Sequence, residues 1–200
     1  LLLGKLPTSS ELNEFEEELS SQRKMPDSLV NVIESIPSSA HPMEVVRTII
    51  SYMGVIEPEK TFEDQLKVAK RLIGVTTTAI VYWYNFSHHG IRANQDSNER
   101  SVAGHFLKLL RQEDIPELDK KTLDVSLTLY AEHEFNASTF TGRVCASTLS
   151  DLHSCLTAAV GSLRGPLHGG ANEEAMKMLQ QINSVDEVKS FVDQKFENKE

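Results

Sequence analysis

A histidine at the predicted start of a helix is the clearest candidate for chemistry in this chain. His168 lies in the segment GPLHGG, residues 165–170, among side chains too small to shield it from a ligand. Pro166 prevents the preceding apolar run from continuing as a helix, and Glu173 favours the first turn of the next one. The positive end of that helix disfavours imidazolium, so a neutral N–H donor is expected. Such a donor suits the polarisation of a carbonyl during enolisation.

The role of His168 stays open when only spacing is considered. Gly169 and Gly170 are expected to permit backbone conformations that are closed to other residues. A buried histidine with satisfied hydrogen bonds is nevertheless an equally good interpretation, because short motifs carry many false matches. The residues therefore indicate a candidate site without assigning its chemistry.

A second histidine lies between two carboxylates, in the sequence Glu132-His133-Glu134 at the end of a predicted helix. If the carboxylates lie close to the ring, they favour the imidazolium form of His133. A cationic histidine suits a dicarboxylate ligand. From the residues alone, a structural role at a helix end is the commoner explanation.

Other chemical motifs are weak or absent. The adjacent His88 and His89 diverge on a helix by about 100°, and no third ligand follows at the helical spacing, so a metal site is not predicted. Phosphate-binding glycine patterns, H-E-x-x-H and G-x-S-x-G do not occur, which argues against an esterase reading of His168. Arg143 and Arg164 could serve an anion, although structural ion pairing explains them at least as well.

Composition excludes some classes of partner. The chain has 200 residues, 40% of them hydrophobic, and a net charge of −9, so neither nucleic acid nor an anionic membrane is an expected partner. No apolar run reaches the length of about 18 residues that a membrane span needs. Cys145 and Cys155 lack the spacing of a zinc site and are expected to be packed free thiols in a reducing compartment.

Helical periodicity recurs along the whole chain and predicts an all-α fold. Capping signals at Thr8 and Asp27 open two amphipathic helices, and Gly54 is placed to end a third that starts near Met43. Further helices are predicted over residues 62–86, 101–111, 120–132, 138–163, 171–182 and 185–196, with a polar loop over residues 92–100. Residues 75–84 have β propensity but no second β-rich segment to pair with, so a buried helix is expected there.

The predicted helix over residues 138–163 is rich in Ala, Ser, Thr and Gly. Small side chains allow close helix packing, either in the core of one chain or across a two-fold axis. Both arrangements are compatible with the pattern.

Two separated motifs in the right order resemble the citrate synthase family. They are AEHEFNAST, residues 131–139, and GPLHGGANE, residues 165–173. Upstream, YWYNFSH (82–88) and SVAGHFL (101–107) look most like the 2-methylcitrate synthase branch. The resemblance covers essentially the whole chain and implies the multi-helical large domain of that family. It also favours a homodimer that pairs small-residue helices across a two-fold axis.

The resemblance implies a role for each candidate residue. His168 matches the catalytic histidine that hydrogen-bonds the thioester oxygen of acyl-CoA, and His133 and Asn136 match residues that bind oxaloacetate. The implied reaction condenses propionyl-CoA or acetyl-CoA with oxaloacetate to give 2-methylcitrate or citrate and CoA, without a cofactor other than the acyl-CoA substrate. Ordinary citrate synthase is the alternative reaction, and a non-catalytic dimerisation module is an alternative of another class.

Domain boundaries also follow from the resemblance. Residues 1–182 correspond to most of the large helical domain, and residues 183–200 to the start of the small domain. The second catalytic histidine, the binding arginines and the catalytic aspartate of the family would follow Glu200, so residues 1–200 alone are expected to be inactive. The expected location is the cytoplasm, or the mitochondrial matrix in a eukaryote.

Overall fold

The computed structural model describes residues 2–132 and 134–198, and only the backbone of Asn172. Over these residues the chain forms ten α-helices and two 3₁₀ turns, with no strand, so the all-α prediction is confirmed. The helices are α1 Ser9–Ser21, α2 Asp27–Glu34, α3 Pro42–Ile56, α4 Gln65–His89, α5 Val102–Arg111, α6 Glu117–Tyr130, α7 Ala137–Ala146, α8 Leu152–Leu163, α9 Gly170–Leu179 and α10 Val188–Asn198. The 3₁₀ turns are Phe62–Asp64 and Val185–Glu187.

Helix α4 lies at the centre of the fold and contacts α1, α2, α3, α5 and α8. Residues 75–84 are helical as predicted, because their branched and aromatic side chains pack into this core rather than against a neighbouring strand. The main core is built from α2, α3 and α4. Its fully buried apolar side chains include Leu29, Ile33, Val45, Ile49, Met53, Val75, Ala79 and Trp83. None of the described helices combines the length and apolar character needed to cross a bilayer.

The single helix predicted over residues 138–163 is wrong, because the chain forms two helices there. Helix α7 ends at Ala146, and Leu149 adopts a left-handed backbone conformation with φ 62°. The Asp151 side chain then accepts a hydrogen bond from Ser154 N at 3.0 Å and caps α8. The resulting hairpin packs α7 on α8 and α8 on α3.

Gly54 does not end α3, as its position in the sequence had suggested. It lies inside the helix, where a Cβ atom would be 2.8 Å from the Cβ of His153 on α8. The glycine therefore allows α3 and α8 to approach closely, and α3 continues to Ile56. Pro42 is the first residue of α3, a position where its missing N–H costs nothing.

The polar segment after α4 is a loop, as predicted, and side chains from the core hold it in place. The buried Arg23 donates to the carbonyl oxygens of Glu99, Arg100 and Ser101. The fully buried His105 lies 2.8 Å from Ser97 Oγ through Nδ1. These contacts fix the loop against the connection between α1 and α2 and against α5.

Candidate active site

His168 is half-buried in the connection between α8 and α9, one residue before the N-cap of α9. Its backbone N–H donates to Gly165 O at 3.0 Å, and the N–H of Gly169 donates to Leu163 O at 3.1 Å. The connection is therefore a tight turn with its own hydrogen bonds. It places the imidazole at the start of a helix, as the sequence had predicted.

The glycine after His168 is needed for a different reason from the one expected. Gly169 has φ −72° and ψ −22°, a conformation open to any residue, rather than a left-handed one. A Cβ atom at Gly169 would, however, lie 2.0 Å from Leu163 O. At Gly170 the nearest atom to an added Cβ is 3.8 Å away, which is ordinary contact. Only Gly169 is therefore required by the close approach of the chain to itself.

Ser138 is a site residue that the sequence analysis missed. It is the second residue of α7, and its Oγ lies 2.7 Å from His168 Nε2. The ring nitrogen Nδ1 has no hydrogen-bond partner among the described residues. If the serine hydroxyl donates to Nε2, the imidazole proton lies on Nδ1 and is available to an incoming oxygen. The N-cap at Asn136 was the only sequence signal, because it places Ser138 on the first turn of a helix.

Asn136 is the N-cap of α7, a structural role in addition to the predicted binding role. Its Oδ1 accepts a hydrogen bond from Thr139 N at 2.9 Å and caps α7. Its Nδ2 remains available as a donor to an acceptor oxygen. Asn136 and Ser138 lie on the same turn and line a cleft of about 840 Å³. The cleft has a mainly apolar wall that extends along α7 and α8, with Leu156 and Ala159 among its lining residues.

The predicted binding residue His133 lies outside the described residues, so its role stays a prediction. Glu134 has φ 51°, in the left-handed region that residues other than Gly, Asn and Asp rarely adopt. The N–H of Glu134 donates to Glu132 Oε1 at 2.6 Å. The Glu132 carboxylate therefore stabilises backbone beyond the end of α6, which closes at Tyr130 rather than at residue 132.

The two candidate arginines differ in their surroundings. Arg164 Nε lies 3.7 Å from Glu44 Oε1, so the ion-pair interpretation fits this residue. The Arg143 guanidinium lies 5.8 Å from the Phe135 ring centroid and lines the cleft beside Asn136. Of the two arginines, Arg143 is the one that lines this cleft together with Asn136.

At the end of α4, His88 stacks on the Tyr84 ring and His89 meets the same ring edge-on. The ring centroids of His88 and Tyr84 are 4.8 Å apart, and those of His89 and Tyr84 are 5.3 Å apart. Across residues 2–132 and 134–198, no group of three or more His, Cys, Asp or Glu side chains is placed to hold a metal ion.

The two cysteines face each other across the α7–α8 hairpin. Both are free thiols, with Cys145 half-buried and Cys155 buried. Burial, with the contact from Cys145 second, raises the pKa of the Cys155 thiol to about 11. Cys155 is therefore a protonated packing residue and not a nucleophile.

Comparison with known proteins matches the whole chain to one family. The model described as "Citrate synthase, C-terminal domain" matches residues 1–200. A 2-methylcitrate synthase from Shewanella oneidensis is 48% identical over 200 residues, which are 100% of this chain and 53% of that protein. A citrate synthase from Deinococcus radiodurans is 39% identical over 203 residues, covering 100% of this chain and 54% of that protein. The chain spans about half the length of the curated relatives it matches.

Solved structures show the same fold. A citrate synthase from Thermoplasma acidophilum, in a ternary complex with carboxymethyl coenzyme A and oxaloacetate, matches with a TM-score of 0.85 and 30% identity. The match covers 98% of this chain and 52% of that one. A citrate synthase from Thermotoga maritima matches with a TM-score of 0.79 and 35% identity, covering 100% of this chain and 52% of that one.

Proposed function

This chain belongs to the citrate synthase family, and from that premise we propose that the protein containing it condenses propionyl-CoA with oxaloacetate and water to give 2-methylcitrate and CoA. The observation that carries the proposal is the contact between Ser138 Oγ and His168 Nε2, while Nδ1 of this half-buried imidazole has no partner among the residues that the structure describes. No cofactor is proposed beyond the acyl-CoA substrate.

His168 acts on the thioester in this proposal. Removal of a proton from the carbon next to a thioester carbonyl places negative charge on the carbonyl oxygen. The Nδ1–H of His168 donates to that oxygen and stabilises the charge as it develops. A single donor of this kind contributes roughly 3–4 kcal/mol to lowering the barrier in comparable oxyanion sites. The enolate carbon then attacks the ketone of oxaloacetate, and hydrolysis of the resulting thioester releases CoA.

Oxaloacetate is assigned to the start of α7. The Nδ2 of Asn136 has no partner there among the described residues, and the cation Arg143 lines the same cleft. The electropositive N-terminus of α7 adds to the attraction for a dicarboxylate. His133 is proposed as the second oxaloacetate contact, from the family motif alone.

The second candidate reaction uses acetyl-CoA and yields citrate. Curated relatives with both names match the chain, the 2-methylcitrate synthase at higher identity. One methyl group in an apolar pocket changes discrimination by only roughly 1–3 kcal/mol, so turnover of both acyl-CoAs is expected. A non-catalytic module remains the alternative of another class.

A homodimer is proposed from the unpaired face of the α7–α8 hairpin. Helix α7 buries no side chain, and Phe140 and Val144 are 66% and 51% exposed. Leu149, in the turn of the hairpin, is 93% exposed. An apolar face of this kind is typical of an interface, and a second copy would bury it across a two-fold axis. Sedimentation of the full protein showing only monomer at micromolar concentration would contradict the proposal.

The domain assignment is also a proposal. Residues 1–182 are assigned to the large helical domain and residues 183–200 to the start of the small one. It is supported by α10, which packs mainly on the 3₁₀ turn Val185–Glu187 just before it. We assign the protein to the cytoplasm, or to the mitochondrial matrix if the organism is a eukaryote.

The test is an assay of CoA thiol release, made on a protein that contains this chain and has the full length of its relatives. Propionyl-CoA and acetyl-CoA are compared, each with and without oxaloacetate. CoA release that depends on oxaloacetate supports the proposal, and the ratio of kcat/KM values assigns the preferred acyl group. His168→Ala should mainly lower kcat, whereas His133→Ala should mainly raise KM for oxaloacetate. No oxaloacetate-dependent release with either thioester would leave the non-catalytic module as the better explanation.

A further inference from the structure

The first turn of α3 contacts both ends of the connection that carries His168. On one side, Glu44 Oε1 lies 3.7 Å from Arg164 Nε, just after the end of α8. On the other side, His41 Nε2 lies 3.6 Å from Glu173 Oε2, on the first turn of α9. Residues 164 and 173 bracket the catalytic turn. Two side chains only three positions apart thus reach its two ends.

His41 and Glu44 are themselves locked together as a capping box. His41 Nδ1 accepts a hydrogen bond from Met43 N at 3.1 Å, and the N–H of His41 donates to Glu44 Oε2 at 3.4 Å. Because Nδ1 accepts, the ring proton lies on Nε2, which faces Glu173. Because one carboxylate oxygen of Glu44 serves the cap, the other is free to face Arg164. The cap therefore presents one fixed donor and one fixed acceptor to the turn.

We propose that this capping box is a brace that holds residues 164–173 in the conformation that orients His168. The inference rests on the proposed function for its catalytic meaning. His41, Glu44, Arg164 and Glu173 are positioning residues, since none of them touches the reacting atoms. They bear on kcat because misplacing a catalytic donor costs rate even when the substrate still binds.

Apart from the capping box, the side-chain contact that reaches this turn from another helix among the described residues is the one between Ser138 Oγ on α7 and His168 Nε2. The turn's backbone bonds from His168 and Gly169 reach Gly165 O and Leu163 O, which lies at the end of α8. Helix α9 makes no extensive packing contact with another helix in the described part of the chain. Arg164 Nε is shielded from solvent and makes no hydrogen bond with the described residues, while the whole side chain is 40% exposed, so its attraction to Glu44 is partly screened. The contacts at 3.6 and 3.7 Å are electrostatic attractions rather than direct hydrogen bonds.

Two substitutions separate the brace from the cap. His41→Asn keeps an N-cap acceptor, because Asn is among the best N-caps, but its side chain is too short to reach Glu173. Glu173→Gln removes the carboxylate charge from the other partner. Glu174→Gln is the matched control, since Glu173 and Glu174 both pair with Lys177, at 2.9 and 2.8 Å, while only Glu173 faces His41.

The experiment measures hydrogen exchange in the full-length protein, using the peptide that contains the amides of His168 and Gly169. His41→Asn and Glu173→Gln should each speed exchange roughly two- to fivefold, the range for one partly exposed electrostatic pair. The double variant should exchange no faster than the faster single variant, because both remove the same contact. Glu174→Gln should exchange like the wild type. In parallel, kcat should fall by a similar factor with KM for oxaloacetate unchanged.

Unchanged exchange in both single variants would overturn the brace. An equal effect of Glu174→Gln would overturn it as well, since charge near the helix start would then be the cause. The exchange readout needs no turnover. A wild-type protein without condensation activity would therefore refute the proposed function, while exchange alone would still decide whether the brace exists.

Discussion

Ser138 Oγ lies 2.7 Å from His168 Nε2, although thirty positions separate the two residues in the sequence. The α7–α8 hairpin produces this contact by returning the end of α8 to the start of α7. A hydroxyl that donates to Nε2 selects the tautomer with its proton on Nδ1. With the Ser138 hydroxyl as donor, the contact places the ring proton where the role proposed for His168 needs it.

The first prediction concerns that tautomer. Ser138→Ala should lower kcat roughly three- to tenfold with either acyl-CoA, because one hydrogen bond worth roughly 0.5–1.5 kcal/mol no longer favours the productive form. KM for oxaloacetate should hardly change. Ser147→Ala is the control, since its hydroxyl donates to Val144 O at the end of α7 and contacts no candidate site residue that the structure describes. A rise in KM for oxaloacetate with normal kcat would instead place Ser138 among the binding residues.

Two neighbouring glycines provide the second prediction. Gly169→Ala should reduce kcat by an order of magnitude or more, because its Cβ would lie 2.0 Å from Leu163 O and must displace the turn that holds His168. Gly170→Ala should keep most of the activity, because it adds a methyl group in ordinary contact and favours the helix. Steady-state kinetics of the two variants, with circular dichroism to confirm folding, measures the difference. Equal effects would show that backbone freedom, rather than space, is required at both positions.

The sequence predicted the individual helices better than it predicted the contacts between them. The capping box of Thr8 and Glu11 forms as expected, since it depends on residues three apart. His168 also lies at the start of a helix, where Pro166 and Glu173 had predicted it. Gly54 was misread as a helix end, because the neighbour that requires it, His153, lies 99 positions away in the sequence. Tertiary contacts between residues so far apart produce no periodic pattern in the sequence.

The same limit explains the remaining errors at the site. The small-residue pattern continues through residues 138–163 and therefore predicted one helix. The chain nevertheless breaks before α8, because the Asp151 side chain caps a new helix there. Ser138 was missed because its partner comes from another helix connection. The reason given for Gly169 was wrong because the clash with Leu163 O is visible only once the turn is formed.

The third prediction is a loss of stability in mild acid caused by His105. Burial, with nearby Arg23 second, lowers the pKa of His105 from 6.5 to about 4. The neutral ring bridges Thr78 Oγ1 at 2.9 Å and Ser97 Oγ at 2.8 Å. The unfolded chain binds the proton more readily, so the contribution of His105 to stability is complete above pH 6.5 and declines as the pH falls towards 4.

His105→Asn tests this assignment, because it retains hydrogen-bonding capacity and cannot titrate. The variant should be less stable than the wild type at pH 7.5, and its stability should fall less between pH 6.5 and 4. Urea unfolding at a series of pH values measures both quantities. His88→Asn, at an exposed residue of α4, should keep the slope of the wild type. An identical slope in His105→Asn and the wild type would remove His105 as the cause.

The last prediction concerns more strongly acidic conditions and a network that joins α2, α4 and the following loop. Glu34 accepts two hydrogen bonds from Arg92, at 2.7 and 2.8 Å, and one from the Tyr82 hydroxyl at 2.7 Å. The hydrogen bonds from Arg92, and after them the one from Tyr82, lower the pKa of Glu34 from 4.5 to about 2. Burial, and then Glu34, raises the pKa of Tyr82 to about 12, so the phenol remains a donor at neutral pH.

Because the folded state depresses the pKa of Glu34, its contribution is fully present above pH 4.5 and is lost as the pH falls towards 2. Glu34→Gln should therefore destabilise the protein at pH 7, and the difference from the wild type should shrink below pH 4.5. Glu14→Gln, on the exposed face of α1, should cost little at either pH. This window lies below that of His105, so the two variants flatten different parts of the same stability curve. A difference for Glu34→Gln that stays constant from pH 7 to 3 would mean that the carboxylate contributes through shape and not through charge.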